Sequence, residues 1–143
     1  MATPGRILKT SLRYLLASAM VFVGVKHFTS PEPFVRIVPP LLPAPEVLVA
    51  VSGAFEILGG VGLLVPQTRR AAAFGLIALY IAVFPANIYM AVNHIPLGDE
   101  PVPAWALWLR LPFQAVFIGL AWWFTRPDEP AGGARQAPER QRA

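Results

Sequence analysis

Four long stretches of the chain are almost entirely apolar, and short polar segments separate them. A helix that crosses a lipid bilayer needs about 20 mostly apolar residues. Four stretches approach or reach that length, at residues 12–28, 46–65, 71–92 and 104–125. The pattern therefore predicts an all-α fold, an integral membrane four-helix bundle that spans the lipid bilayer as a multi-pass protein.

The polar segments complete the predicted organisation. Residues 1–11 form a flank before the first span, and residues 126–143 form a polar tail that we expect to be disordered. The proline-rich loop at residues 29–45 is stiff and partly apolar, which predicts an ordered interfacial segment or lid between helices 1 and 2. The apolar run continues well past Ala17-Ser18-Ala19, which favours an uncleaved first helix over a signal peptide. The lack of acidic residues before Glu32 leaves a transit peptide as an alternative.

The composition supports a membrane protein. Apolar residues make up 55% of the chain and charged residues 14%, whereas soluble domains average about 45–50% and about 25%. So few charges do not cover a water-soluble surface of this apolar content. The chain has no cysteine, which excludes a disulfide framework, a thiolate zinc site, an iron–sulfur cluster and a dithiol relay carried by this chain.

The basic residues predict an orientation. Of 12 Lys and Arg residues, three lie before or at the start of the first span (Arg6, Lys9 and Arg13), two lie in the turn at residues 66–70 and four lie in the tail. The opposite side carries only Lys26 and Arg36. The positive-inside rule therefore places both termini in the cytoplasm, in a bacterial inner (plasma) membrane. The net charge of +4 is then a topology signal, and no nucleic acid partner is expected.

Two sets of small residues predict where helices pack. The third span carries small residues on one face, namely Ala71, Gly75, Ala78, Ala82 and Ala86. The second span carries Gly53, Gly59, Gly60 and Gly62. A glycine-rich segment after a strand can cradle phosphate, but no strand precedes these glycines. We therefore interpret both sets as faces where neighbouring helices approach closely.

Polar residues within the spans are the candidate site. A polar or ionisable side chain in the hydrocarbon region of a membrane is energetically costly unless it turns into the bundle and is paired. We therefore expect four such residues to meet inside the bundle, namely Glu56, Asn87, Arg110 and Gln114. Their depths predict an ion pair between Glu56 and Arg110. Four more residues are candidates for ligand binding. Ser52 shares a helix face with Glu56, and Tyr80 shares one with Asn87, whereas Lys26 and His27 lie at the outer end of helix 1.

Two interpretations of this cluster stay open. In one, a buried ion pair and hydrogen-bond network only fixes helix packing. In the other, Arg110 and Lys26 bind an anion or a carbonyl in an outward-opening pocket, and Glu56 handles a proton. A metal or haem site at His27 and His94 is disfavoured, because neither has a HxxxH or HxxE companion. We therefore predict no metal ligands and no catalytic residues.

The same residues form a family pattern. It comprises His27-Phe28, Pro31, Phe34, residues 36–40 (RIVPP), Pro43 and Pro45, then residues 52–53 (SG), 56–60 (EILGG), Pro66 and 68–70 (TRR), and finally residues 81–90 (IAVFPANIYM), 110–114 (RLPFQ) and 122–123 (WW). This pattern resembles the DoxX-like family of small membrane proteins. The resemblance implies a four-helix bundle with both termini cytoplasmic. Some relatives look like membrane subunits of quinone-linked sulfur oxidation or of assemblies that resist oxidative stress, and others are assembly factors.

Two functions follow as hypotheses. The first is an accessory membrane subunit, not catalytic on its own, that supports quinone-linked redox or oxidative-stress metabolism through the polar pocket. Its cofactor would be a quinone, and its partners a redox enzyme subunit or a second copy in a homo-oligomer. The alternative is a structural or assembly protein whose polar cluster only fixes helix packing. A small-solute carrier is weaker, because four short helices show no repeated halves.

Overall fold

The structure, a computed structural model, describes residues 3–96, 98 and 101–128. These residues form helices and no strand: α1 (Pro4–Thr29), α2 (Glu32–Arg36), α3 (Pro45–Leu64), α4 (Arg69–Val92) and α5 (Ala104–Phe124). All but α2 are long and apolar enough to cross a membrane. The predicted all-α fold with four membrane helices is therefore confirmed. Residues 129–143 of the expected disordered tail lie outside the described residues.

Two elements differ in extent from the sequence prediction. The first helix begins at Pro4, well before residue 12, because the Thr3 hydroxyl accepts a hydrogen bond from the Arg6 N–H and proline suits the first helical position. Most of the predicted flank is thus helical. The proline-rich loop contains α2, a short helix that packs against α3.

The long helices pack in sequence order, and glycines form the contacts between α1 and α3 and between α3 and α4. Helix α1 packs on α3, α3 on α4, and α4 on α5. A Cβ atom added to Gly60 would lie 2.7 Å from the Ala17 carbonyl oxygen, and one added to Gly24 would lie 2.7 Å from the Gly53 carbonyl oxygen. Gly59 packs against the side chain of Leu76 in α4, where an added Cβ would lie 2.5 Å from a Leu76 methyl carbon. The α3 glycines therefore lie at helix seams, as predicted, since the backbone or side chains of the neighbouring helix leave no room for a Cβ atom.

The small-residue face of α4 does not form the predicted seam. A Cβ added to Gly75 would meet nothing within 4 Å, and Ala78 and Ala82 are exposed. Together with Ala86, these residues line a cavity inside the bundle. The prediction was wrong because small residues also occur where a helix borders open space, and their spacing is the same in both cases.

Two apolar clusters hold the bundle at its ends. We call the end where α1 begins and α5 ends the terminal end, and the opposite end the loop end. The terminal-end cluster joins the four long helices through buried residues that include Leu16, Leu63, Leu76 and Phe124. The loop-end cluster comprises Ile37, Met90, Ala91 and Leu107. The cavity borders both clusters, since its lining includes Met20 and Tyr80 of the first and Ile37 of the second.

A carboxylate after α5 ties three basic side chains together at the terminal end. Asp128 lies 3.1 Å from Lys9 Nζ, 3.2 Å from Arg13 Nη1 and 2.9 Å from Arg69 Nη1. Lys9 also donates to the carbonyl oxygens of Arg126 and Pro127. We call Lys9, Arg13, Arg69 and Asp128 the clasp. It joins α1, α4 and the segment after α5, whose first residues are thus held in place.

Alanine at Gly60 tests the α1–α3 seam. We expect Gly60→Ala to lower the free energy of unfolding by about 1–3 kcal/mol, since the backbone of Ala17 must move to admit the methyl group. The matched control is Gly119→Ala in α5, where an added Cβ meets nothing within 4 Å. Thermal unfolding in detergent measures both. Equal melting temperatures for the two variants would contradict the seam.

The clasp predicts a pH-dependent stability. Partial burial raises the pKa of Asp128, but the hydrogen bond from Lys9 and the charges of Arg13 and Lys9 lower it by more, so the net pKa is below the ordinary 3.8. A lowered pKa contributes stability that is complete above pH 3.8 and is lost as the pH falls through the folded-state pKa. We expect Asp128→Asn to melt at a lower temperature than wild type at pH 7. The difference should shrink below pH 3.8; a constant difference across the titration would refute the mechanism.

Candidate functional site

A cavity of about 720 Å³ lies among all four long helices and the linker between α1 and α3. Its walls are mostly apolar. The polar lining residues are His27, Ser52, Glu56, Tyr80, Asn87, Arg110 and Gln114. The structure thus brings seven of the eight predicted ligand-binding residues to one cavity. Lys26 is the exception, because its side chain is exposed and its Nζ lies 5.9 Å from the centre of the Phe22 ring.

Part of the cavity wall is exposed near the middle of the helices. Phe55 of α3 is 56% exposed, and Phe113 of α5 is 49% exposed. Ala78 and Ala82, near the middle of α4, are exposed as well. An exposed side chain at this depth of a membrane-spanning helix faces the cavity or, at the outer surface of the bundle, hydrocarbon, since the centre of each helix lies near the centre of the bilayer. The apolar part of the cavity wall therefore continues to the lipid-facing surface.

His27 and Glu56 form a close pair on one side of the cavity. The Nδ1 atom of His27 lies 3.2 Å from Glu56 Oε2. The N–H at that nitrogen is directed to the Val23 carbonyl oxygen, at 2.9 Å. Glu56 Oε2 is therefore buried beside the imidazole without a hydrogen-bond donor among the described residues. A buried carboxylate oxygen in this state is costly, and a ligand that donates a hydrogen bond would satisfy it.

The linker completes this part of the site. The ring of Phe34, in α2, stacks on the imidazole of His27 with 3.9 Å between ring centres. The sequence placed Phe34 only in an interfacial segment, and nothing in its spacing indicates a contact with the polar cluster. The other side of His27 packs on Gly53, where an added Cβ would lie 2.5 Å from the Cβ of His27.

The expected ion pair between Glu56 and Arg110 is not formed. No hydrogen bond or ion pair joins Arg110 to any residue in the described part of the chain, although its side chain lines the cavity. The physical reason lies in the helix order. Because α1 packs on α3, His27 reaches the Glu56 carboxylate, whereas Arg110 is on α5, which packs on α4. The guanidinium is therefore available to a ligand.

The amides and the tyrosine form a separate, paired network. Asn87 Nδ2 donates to Gln114 Oε1 at 2.7 Å, and Gln114 Nε2 donates to the Tyr80 carbonyl oxygen. The Tyr80 hydroxyl donates to the Met20 sulfur at 3.1 Å. This network joins α4 to α5 and to α1. The polar cluster thus has two halves, a paired one that connects helices and an unpaired one at Glu56 and Arg110.

The histidines do not come together. His94 lies at the loop end with a positive φ of 53° and does not line the cavity. Within residues 3–96, 98 and 101–128, no group of three or more His, Asp or Glu side chains has the arrangement that could hold a metal ion.

The fold and the cavity define a multi-pass α-helical membrane protein with a partly polar internal site. More particularly, the chain belongs to a family described as a domain of unknown function, DUF8561, whose model matches residues 16–125. The matched region contains the second half of α1, the whole of α3, α4 and α5, and every residue of the cavity lining. No curated protein and no solved structure gives a significant match.

Replacement of Gln114 tests the paired half of the cluster. Gln114→Leu removes the acceptor of Asn87 and the donor to Tyr80, so we expect a loss of about 1–3 kcal/mol in unfolding free energy. The matched control is Gln67→Leu, in the exposed turn between α3 and α4, which should change little. Thermal unfolding in detergent compares the two. A Gln114 variant as stable as the Gln67 variant would contradict a structural role.

Proposed function

We propose that the protein is an accessory membrane subunit that supports quinone-linked redox or oxidative-stress metabolism by holding a quinone-like ligand in the cavity. One observation carries this proposal. The cavity combines extended apolar walls with an unpaired guanidinium at Arg110 and a buried carboxylate oxygen at Glu56 that has no donor among the described residues. Ligands with a polar head and an apolar body have the complementary chemistry.

The size of the cavity supports a ligand of this class. Binding pockets for small molecules measure about 300–1,000 Å³ and are mostly apolar, with a few polar groups that orient the ligand. The cavity, at about 720 Å³, lies within that range. In the proposed complex Arg110 donates to a carbonyl or anionic oxygen of the head, and Glu56 accepts a hydrogen bond from a hydroxyl group of the reduced (quinol) form, which makes it the proton partner. Lys26 has no place in this proposal, because it lies outside the cavity lining.

The proposed setting is a bacterial inner membrane with both termini in the cytoplasm. The basic residues support this orientation, since nine of the 12 lie on the side of the termini. The resemblance to the DoxX-like family supports quinone-linked work. Because the chain has no cysteine, we propose that a partner subunit with its own redox group carries the electrons.

A second candidate function is a structural or assembly role without a ligand. The hydrogen bonds from Asn87 to Gln114 and from Gln114 to Tyr80 favour it, because they join helices and are internally paired. They account for the paired half of the cluster. They leave Glu56 and Arg110 without a structural explanation, which favours the ligand proposal.

Substitution of the two unpaired groups tests the ligand proposal. We expect wild-type protein to copurify with a quinone, and Arg110→Gln and Glu56→Gln to lose about tenfold or more of it, since hydrogen bonds to charged groups contribute about 1.5–3 kcal/mol. Mass spectrometry of lipid extracts measures the bound ligand. Arg70→Gln is the matched control, because Arg70 is exposed at the start of α4 and does not line the cavity.

Stability separates the two candidate functions. Since Glu56 does not pair with Arg110 and its buried oxygen has no donor among the described residues, Glu56→Gln should not lower the melting temperature of the ligand-free protein. Wild-type protein without any quinone or other small molecule, together with a lower melting temperature for Glu56→Gln, would favour the structural role instead.

A further inference from the structure

The clasp has an excess of positive charge. Three cations converge on the single carboxylate of Asp128, so the group carries a formal charge of +2 (three minus one). Lys9 is only 5% exposed and Arg13 only 4% exposed. Burying charge is costly unless it is paired. Asp128 is the only carboxylate of the described residues at the terminal end, so a second negative charge from outside would stabilise the group.

The beginning of α4 adds to the positive potential. Arg69 is the first residue of this helix, and the preceding Thr68 makes no side-chain hydrogen bond to the N–H groups of the first turn. The Thr68 hydroxyl instead donates to the Gly62 carbonyl oxygen, at 3.0 Å. A helix N-terminus with free N–H groups attracts anions. The Arg69 N–H is already bonded to the Val65 carbonyl oxygen, so the contribution of α4 is the positive end of its dipole, which lies beside a side chain that binds the Asp128 carboxylate.

The position of the clasp indicates the source of the anion. Tyr14, next to Arg13, and Trp122 of α5 are exposed near the terminal end. Lys9 Nζ lies 5.9 Å from the centre of the Trp123 ring. Tyr and Trp mark the headgroup level of a bilayer. Basic pockets between membrane helices at this level bind the phosphates of anionic lipids.

We propose that the clasp is a binding site for the phosphate group of an anionic phospholipid, and that Asp128 is a built-in competitor that occupies it when no lipid is bound. A phosphate offers more acceptor oxygens than a carboxylate, and guanidinium groups bind either one in a bidentate manner. Because Asp128 lies in the short segment after α5, lipid binding would break the contacts of its carboxylate to α1 and α4. No step of this proposal depends on the ligand in the cavity.

Full-length protein in detergent tests the site with three probes: phosphatidylglycerol, phosphatidylcholine and inorganic phosphate. Native mass spectrometry gives the affinity for each lipid, and thermal unfolding gives the stabilisation by each probe. We expect phosphatidylglycerol to bind more tightly than phosphatidylcholine. Asp128→Asn should increase the affinity for phosphatidylglycerol, because the competitor is removed. Arg13→Gln should decrease it about tenfold, whereas Arg70→Gln, an exposed arginine outside the clasp, should change it little.

Each alternative outcome overturns the proposal. Equal losses in the Arg13 and Arg70 variants would mean that lipid follows surface charge alone. Weaker binding in Asp128→Asn would mean that Asp128 completes the site and does not compete for it. Equal stabilisation by inorganic phosphate and by phosphatidylglycerol would identify a free phosphate as the ligand. If Arg13→Gln does not fold, the Asp128→Asn measurement decides alone.

Discussion

The close contact between α1 and α3 determines the geometry of the polar cavity. At Gly24, Gly53 and Gly60 the two backbones approach so closely that a methyl group would have to displace a carbonyl oxygen or the His27 side chain. In a membrane this packing replaces the hydrophobic effect as the source of helix association. It also places His27 beside Glu56, which is why the carboxylate meets an imidazole on α1 and not the guanidinium on α5.

The polar residues of the bundle divide according to how well their hydrogen bonds are satisfied. Asn87, Gln114 and Tyr80 behave as membrane proteins require, since each amide or hydroxyl finds a partner on another helix. Glu56 and Arg110 do not, although both lie within membrane-spanning helices, where an unsatisfied charge is costly. Membrane proteins retain unsatisfied ionisable groups mainly where these groups act on a ligand or a proton. The difference between the paired amides and the unpaired Glu56 and Arg110 is therefore what most favours a ligand.

Much of this arrangement could be predicted from the sequence, and the exceptions have physical causes. Hydropathy is sufficient to locate four spans, because the thickness of the bilayer fixes their length. Helical spacing identified the face on which Glu56 and Ser52 lie. It did not identify the partner of Glu56, since depth and face do not determine which helices are adjacent. The stripe that includes Gly75 and Ala82 was misassigned because small side chains permit a close contact or an open space equally well. The ion pairs of Asp128 were not predicted, because a single acidic residue in a polar tail belongs to no periodic pattern that indicates its partners.

Because the cavity wall around Phe55 and Phe113 is exposed, the occupancy of the cavity depends on the surrounding lipids. An apolar space that borders hydrocarbon does not stay empty in a bilayer, because lipid acyl chains fill it at little cost. Any ligand there exchanges with lipid and not with water. Its relevant concentration is accordingly its mole fraction among the surrounding lipids. A compound that is scarce in the aqueous phase but abundant in the membrane would then saturate the site, and dilution with buffer alone would not remove it.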